Sequence, residues 1–161
     1  IVQAAAGGVG IKAMEYAQWL GADALGTAGR PHKHAQLRSM GVGGLCSSRD
    51  GTSFAAGAAW LACGGRVHAV LNSLSLDFIA ASFASLGEGG AFEEIGKRGV
   101  WSLQRCGASL SDASTCCVIA LDTDMSRSPL WMHCMLALLG ARTVAAPYFR
   151  GTAFRESFAS H

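Results

Sequence analysis

The stretch Ala4-Ala5-Ala6-Gly7-Gly8-Val9-Gly10 decides the fold. Before it stands a short apolar run, Ile1-Val2-Gln3-Ala4, that reads as a strand. After it, Ile11, Met14, Ala17 and Leu20 recur at helical spacing with the charged Lys12 and Glu15 between them, and Gly21 closes the pattern. Strand, turn and helix then repeat. Further strands are predicted over 24–27, 42–46, 67–72 and 90–95, and helices over 34–40, 54–63 and 76–86. Such alternation calls for a parallel sheet with helices on both faces, and right-handed crossovers make it a doubly wound α/β domain. Beyond residue 97 the rhythm loosens. Residues 98–114 read as a long loop with room for a short helix, 116–121 as a sixth strand, 130–139 as a helix, 142–146 as a strand and 152–160 as a last helix.

Composition narrows the function classes. The 161 residues suit one domain, and the 50% hydrophobic content supplies its core. A net charge of +2, with basic residues scattered and no basic cluster interleaved with aromatics, argues against a nucleic-acid binder. The longest charge-free apolar stretches, 51–65 and 128–141, are shorter than the ~20 residues of a membrane span. No signal-type leader is legible, so the expected compartment is cytoplasmic, with an organelle stroma as the other choice. The six cysteines form no CxxC pair and have no zinc-ligand spacing, and are expected to be small buried hydrophobes.

The glycine turn has a chemical reading. Glycines let the backbone come close to a pyrophosphate and let the helix pack tightly on the sheet. The phosphates then meet free N–H groups at the helix N-terminus. This is the dinucleotide turn of a Rossmann-type domain, although Ala5 stands where its first glycine is usual. An NAD site normally has an Asp or Glu at the end of the second strand, to bind the ribose 2′-hydroxyl. Here the strand ends Gly26-Thr27-Ala28-Gly29-Arg30, and His32, Lys33 and His34 follow. A 2′-phosphate wants positive charge and donors, so the exchange of acid for base favours NADPH over NADH.

Taken with Ser47-Ser48-Arg49-Asp50, Val70-Leu71-Asn72-Ser73-Leu74-Ser75 and Glu94-Ile95-Gly96-Lys97-Arg98, in that order and spacing, the turn resembles one family. That family is the enoylreductase domain of type I polyketide and fatty acid synthases, in the zinc-free medium-chain dehydrogenase/reductase superfamily. The likeness is good over about 1–125 and poor in the tail. It implies that residues 1–161 are the NADPH-binding half, without the preceding GroES-like substrate domain and the last strand. It further implies hydride reduction of the α,β-double bond of an enoyl thioester carried on an acyl carrier protein, among neighbouring synthase domains and without metal. The half alone is expected to bind NADPH without turnover.

Carried over residue by residue, the resemblance implies that Gly7, Gly8, Val9 and Gly10 hold the pyrophosphate. Thr27, Lys33 and Arg49 would sit at the adenosine ribose and its 2′-phosphate. Asn72, Ser73 and Leu74 would line the cofactor, with Ile95 and Gly96 beside the nicotinamide. Lys97 and Asp122 are the implied catalytic pair, Lys97 delivering a proton or stabilising an enolate. The apolar stretch 130–139 is available to a partner domain or to a second subunit in a homodimer. Glu93, His68, Gly51 and the shortened Gly64-Gly65-Arg66-Val67 turn depart from the family pattern. Three other readings stay open: a free-standing quinone or enone oxidoreductase, a non-catalytic remnant inside a synthase, and a methyltransferase of similar fold.

Overall fold

The first three residues hydrogen-bond in two directions, and this joins the sheet. In the computed structural model, Val2 N–H donates to the Leu25 carbonyl (2.8 Å), and Val2 O accepts in return from Thr27 N–H (3.0 Å). On the other side Gln3 N–H donates to Leu71 O (3.0 Å), and Leu71 N–H donates to Ile1 O (2.8 Å). The structure describes residues 1–111 and 113–145, with backbone alone for Leu121, Asp122, Leu139 and 142–145.

The elements are α1 (Gly8–Trp19), β1 (Leu25–Ala28), α2 (Pro31–Ser39), β2 (Gly44–Ser47), α3 (Gly51–Leu61), β3 (Val67–Asn72) and α4 (Asp77–Ser85). They continue as β4 (Leu86–Glu94), α5 (Leu103–Ser109), β5 (Thr115–Val118), α6 (Leu121–Arg127) and α7 (Pro129–Ala145). β1 pairs with β2, and β4 lies between β3 and β5, all parallel. Val2 bridges Gly26 on one side and Leu71 on the other, also in parallel. The order across the sheet is therefore β2, β1, the N-terminal segment, β3, β4, β5. That is the order of the doubly wound dinucleotide-binding fold, which reverses direction beside its first strand.

Burial follows this layout. Val2, Ala5, Ala6, Met14, Ala28, Leu37 and Val42 pack around the N-terminal segment. Val70, Ile79, Phe83, Leu86, Phe92 and Cys106 form a second cluster under β3 and β4, and Cys46, Phe54 and Ala58 a third under α3. On α1 the buried face is Gly10, Ile11, Met14 and Glu15, with Glu15 5% exposed and ion-paired to Lys12 at 2.7 Å. Leu20, expected in the apolar stripe, is exposed just beyond the end of α1.

Several boundaries differ from the sequence reading. α1 begins three residues early because Gly8 to Gly10 already turn helically. β4 starts at Leu86, where the helix was expected to end, and a register shift between Val67 and Ala69 accommodates its glycines. The stretch 98–114 contains α5, capped by Ser102 Oγ, which accepts from Arg105 N–H (3.3 Å). α7 runs on to Ala145, so 142–145 are helical and not a strand: a helix already propagating adds each residue at little cost. The expected helix over 152–160 lies outside the described residues.

The cysteines also divide. Cys46 and Cys106 are buried and Cys116 half-buried, but Cys63, Cys117 and Cys134 are exposed, contrary to expectation. Burial and the neighbouring Cys106 push the Cys116 thiol up to about 12. His68 is exposed on β3, and Glu93 half-buried on β4, beside Cys117. Among the described residues no helix is long and apolar enough to cross a membrane.

Candidate functional site

The C-terminal edge of a parallel sheet gathers the loops that follow each strand. The first of these is the glycine turn. Ala4 adopts a left-handed conformation (φ 47°), and its N–H donates to Thr27 Oγ1 (2.9 Å). Ala5 N–H donates to Thr27 O (2.8 Å) and Gly7 N–H to Ala4 O (2.9 Å). Gly7 caps α1 without a side-chain bond, and the N–H groups of Gly8, Val9 and Gly10 precede any intrahelical acceptor. Gly7 and Val9 are exposed there. A Cβ on Gly10 would lie 2.4 Å from Ala4 O and 2.6 Å from Ala5 Cα. That contact is backbone against backbone, so glycine is required for the helix to lie this close to the strand. Thr27 is fully buried, and its hydroxyl shapes the turn from within.

On the β1–β2 flank two cavities open. One, of about 340 Å³, is lined by Gly29, Arg30, His34, Arg38 and Ser47, among others. Arg30, His34 and Arg38 stand four residues apart, so α2 presents them on one face. The other, of about 320 Å³, is lined by Arg49, Asp50, Leu74, Leu76 and Phe78, among others. Arg49 Nε donates to Gly29 O (3.0 Å), which brings its guanidinium to the rim of the first cavity as well. Lys33 is half-buried in the first turn of α2 and outside the lining of both cavities. Asp50 caps α3 by accepting from Ser53 N–H (2.6 Å), and that bond holds its carboxyl below the usual range.

On the β3–β4 side a buried polar network holds the loops. Gln3, 2% exposed, accepts through Oε1 from the N–H groups of Ser73 (3.2 Å) and Leu74 (3.0 Å). Its Nε2 donates to Ser82 Oγ in α4 (2.6 Å). Asn72 is fully buried and donates through Nδ2 to Leu74 O (2.8 Å) and to Glu94 Oε2 (2.7 Å). Glu94 Oε1 accepts from Gly96 N–H (2.6 Å). Burial raises the Glu94 carboxyl above its ordinary value, against the lowering effect of those two bonds. Asn72 Oδ1 and Ser73 Oγ are buried without a partner.

Of the residues singled out in the sequence, Asn72, Ser73, Leu74, Ile95 and Gly96 come together here, with Ile95 N–H donating to Asn72 O (2.9 Å). Gly7 to Gly10 form the turn, and Arg49 stands on the far flank. Lys97 is exposed, three residues past the end of β4. Asp122 lies in the first turn of α6 and not at a strand end, because β5 stops at Val118. Ile119 N–H donates to Glu94 O (2.8 Å), which keeps that chain segment beside the end of β4. Gln3, Glu94 and Arg38 were missed. A polar residue in an apolar strand was the available signal for the first two, and the four-residue spacing from Arg30 and His34 for the third. Among the described residues no group of three or more His, Cys, Asp or Glu side chains is placed to hold a metal ion.

Sheet order, turn and flanking loops define a Rossmann-type nucleotide-binding domain. No family model matches the chain. The nucleotide-binding subdomain of the enoylreductase domain of PpsC from Mycobacterium tuberculosis superposes with a TM-score of 0.81 and 32% identity, over 89% of this chain and 82% of that one. The CurK enoyl reductase gives a TM-score of 0.83 and 31% identity over 89% of this chain and 42% of that one. A hybrid PKS-NRPS synthetase, pyvA of Aspergillus violaceofuscus, is 43% identical over 103 residues, 62% of this chain. The chain spans only 3% of that synthetase. A mycobacterial protein solved in complex with NADPH, Rv1454c, is more distant, with a TM-score of 0.59 and 27% identity over 73% of this chain and 36% of that one. The chain belongs to the enoyl reductase domains of polyketide synthases, and corresponds to their nucleotide-binding part.

Proposed function

We propose that this chain is the NADPH-binding part of an enoyl reductase that reduces the α,β-double bond of an enoyl thioester carried on an acyl carrier protein. The observation that carries the reading is the pairing of a glycine turn too tight for any side chain at Gly10 with a β1 end that has arginines and no acid. The turn suits a pyrophosphate, and the arginines suit a 2′-phosphate. Arg49, Arg30 and Arg38 would bind that phosphate, with Lys33 adding charge nearby. Gly8 to Gly10 would offer N–H groups to the pyrophosphate, and the loops at Asn72–Leu74 and Ile95–Gly96 would receive the nicotinamide end. When bound, NADPH supplies the hydride. Lys97, on the rim after β4, would hold the proton destined for the substrate α-carbon, with Asp122 as its partner.

The substrate, its carrier and the neighbouring synthase domains are proposed for the whole synthase to which such a part belongs. The test is NADPH consumption by that synthase with an enoyl pantetheine thioester. The reading expects turnover that falls about 100-fold or more in Lys97→Ala, as loss of a positioned acid implies. Turnover with free quinones and none with the thioester would sink it in favour of a free-standing reductase.

A further inference from the structure

Glu94 is a carboxylate 2% exposed, placed where two strand ends meet, and it does two jobs through two oxygens. Oε2 takes an N–H of the Asn72 amide, and Oε1 takes the Gly96 backbone N–H. The other Nδ2 hydrogen of Asn72 goes to the Leu74 carbonyl. Both partners of that nitrogen are pure acceptors, so the amide orientation is fixed, and Oδ1 is the atom left without a partner. A Cβ on Gly96 would meet Glu94 Oε1 at 2.7 Å, so a side chain there displaces the carboxylate.

We propose that Glu94 is a positioning residue for the nicotinamide end of the dinucleotide, an inference that rests on the cofactor reading above. Ionised, it ties the loop after β3 to the loop after β4 and sets the path of Ile95, Gly96 and Lys97. It also holds the Asn72 amide, buried beneath the loop after β3, in one orientation. A buried anion beside that point repels phosphate, which belongs instead to the arginine flank.

Glu94→Gln removes one acceptor and adds a donor. The amide can serve Gly96 N–H or Asn72 Nδ2, never both, so one of the two loops is released. Gly96→Ala breaks the same contact from the other side and covers the case in which Glu94→Gln does not fold. Each variant of the 161-residue chain is titrated with NADPH and, separately, with an adenosine bisphosphate carrying the 2′-phosphate but no nicotinamide. The expected result is an NADPH affinity at least about tenfold weaker, roughly 1.4 kcal/mol, with the bisphosphate bound as tightly as by the parent chain. A general loss of structure would weaken both ligands together, and that outcome overturns the proposal, as does no change in either. A parent chain that folds and binds neither ligand overturns the cofactor reading itself and this inference with it.

Discussion

The two ends of the sheet differ in what their openings contain. At the N-terminal end, a cavity of about 610 Å³ lies between Arg66, Phe83, Leu86, Trp101 and Ser114, among others. It is the largest of the described cavities, and its walls are set by ring contacts: Phe83 stacks on Phe92 at 4.2 Å and on Trp101 at 5.4 Å. At the C-terminal end the openings are about half that size and are lined by Arg30, Arg38, Arg49 and Asp50, among others, while the buried Gln3, Asn72 and Glu94 hold the adjoining loops through fixed partners. A large opening next to a hydrophobic cluster is a by-product of packing. Buried Gln, Asn and Glu side chains are costly unless they are matched, and their concentration at this end supports the proposal that the dinucleotide binds there.

This contrast makes stability and binding separable. Phe83→Ala should cost about 3–5 kcal/mol in urea unfolding, because a large buried ring is lost. The NADPH-to-NADH preference of the remaining folded chain should stay unchanged; loss of that preference would tie the N-terminal end to the site. Gly10→Ala comes next. Its Cβ has only backbone to push against, so the chain should lose up to about 3 kcal/mol and its dinucleotide binding together. Normal binding by that variant would show that α1 can withdraw from Ala4 without consequence.

Gln3→Leu keeps the apolar character of its strand but orphans the N–H groups of Ser73 and Leu74. It should cost about 1–3 kcal/mol and weaken binding, whereas Ser82→Ala, which removes only the hydroxyl partner of Gln3 Nε2, should cost less. Equal effects from the two would deny the loop its special dependence on Gln3.

The smallest effect is a slope in pH. Glu94 has a raised carboxyl, so the folded chain keeps that proton at pH values where the unfolded chain has already released it. Its contribution to stability therefore falls as pH rises from the ordinary carboxylate value near 4.5 up through its own higher value. Glu94→Gln should flatten that part of the stability profile, and an unaltered slope would assign it to other groups.

Much of this was legible in the sequence for one reason. The glycine turn and the strand–helix alternation are local patterns, and local patterns survive in one dimension. The buried polar network is not local. Gln3 meets Ser73 across 70 residues, and Asn72 meets Glu94 across 22, so neither pairing has a signature in spacing. Glu94 was visible only as part of a motif whose chemical interest fell on Lys97. The resemblance implies that Thr27 sits at the ribose; that its hydroxyl also accepts from Ala4 N–H is a contact that pattern alone does not reveal. Residues 142–145 contain Thr143 and Val144, good strand formers, but they continue a helix that starts at Pro129.

The most direct test of the central claim is a fluorescence titration of the 161-residue chain with NADPH and NADH, alongside a circular-dichroism melt of the same sample. The account predicts a cooperative melt and NADPH bound at least about tenfold more tightly than NADH, roughly 1.4 kcal/mol, with the preference lost in Arg49→Ala. A chain that melts cooperatively yet binds neither nucleotide, or binds NADH as well as NADPH, would contradict it.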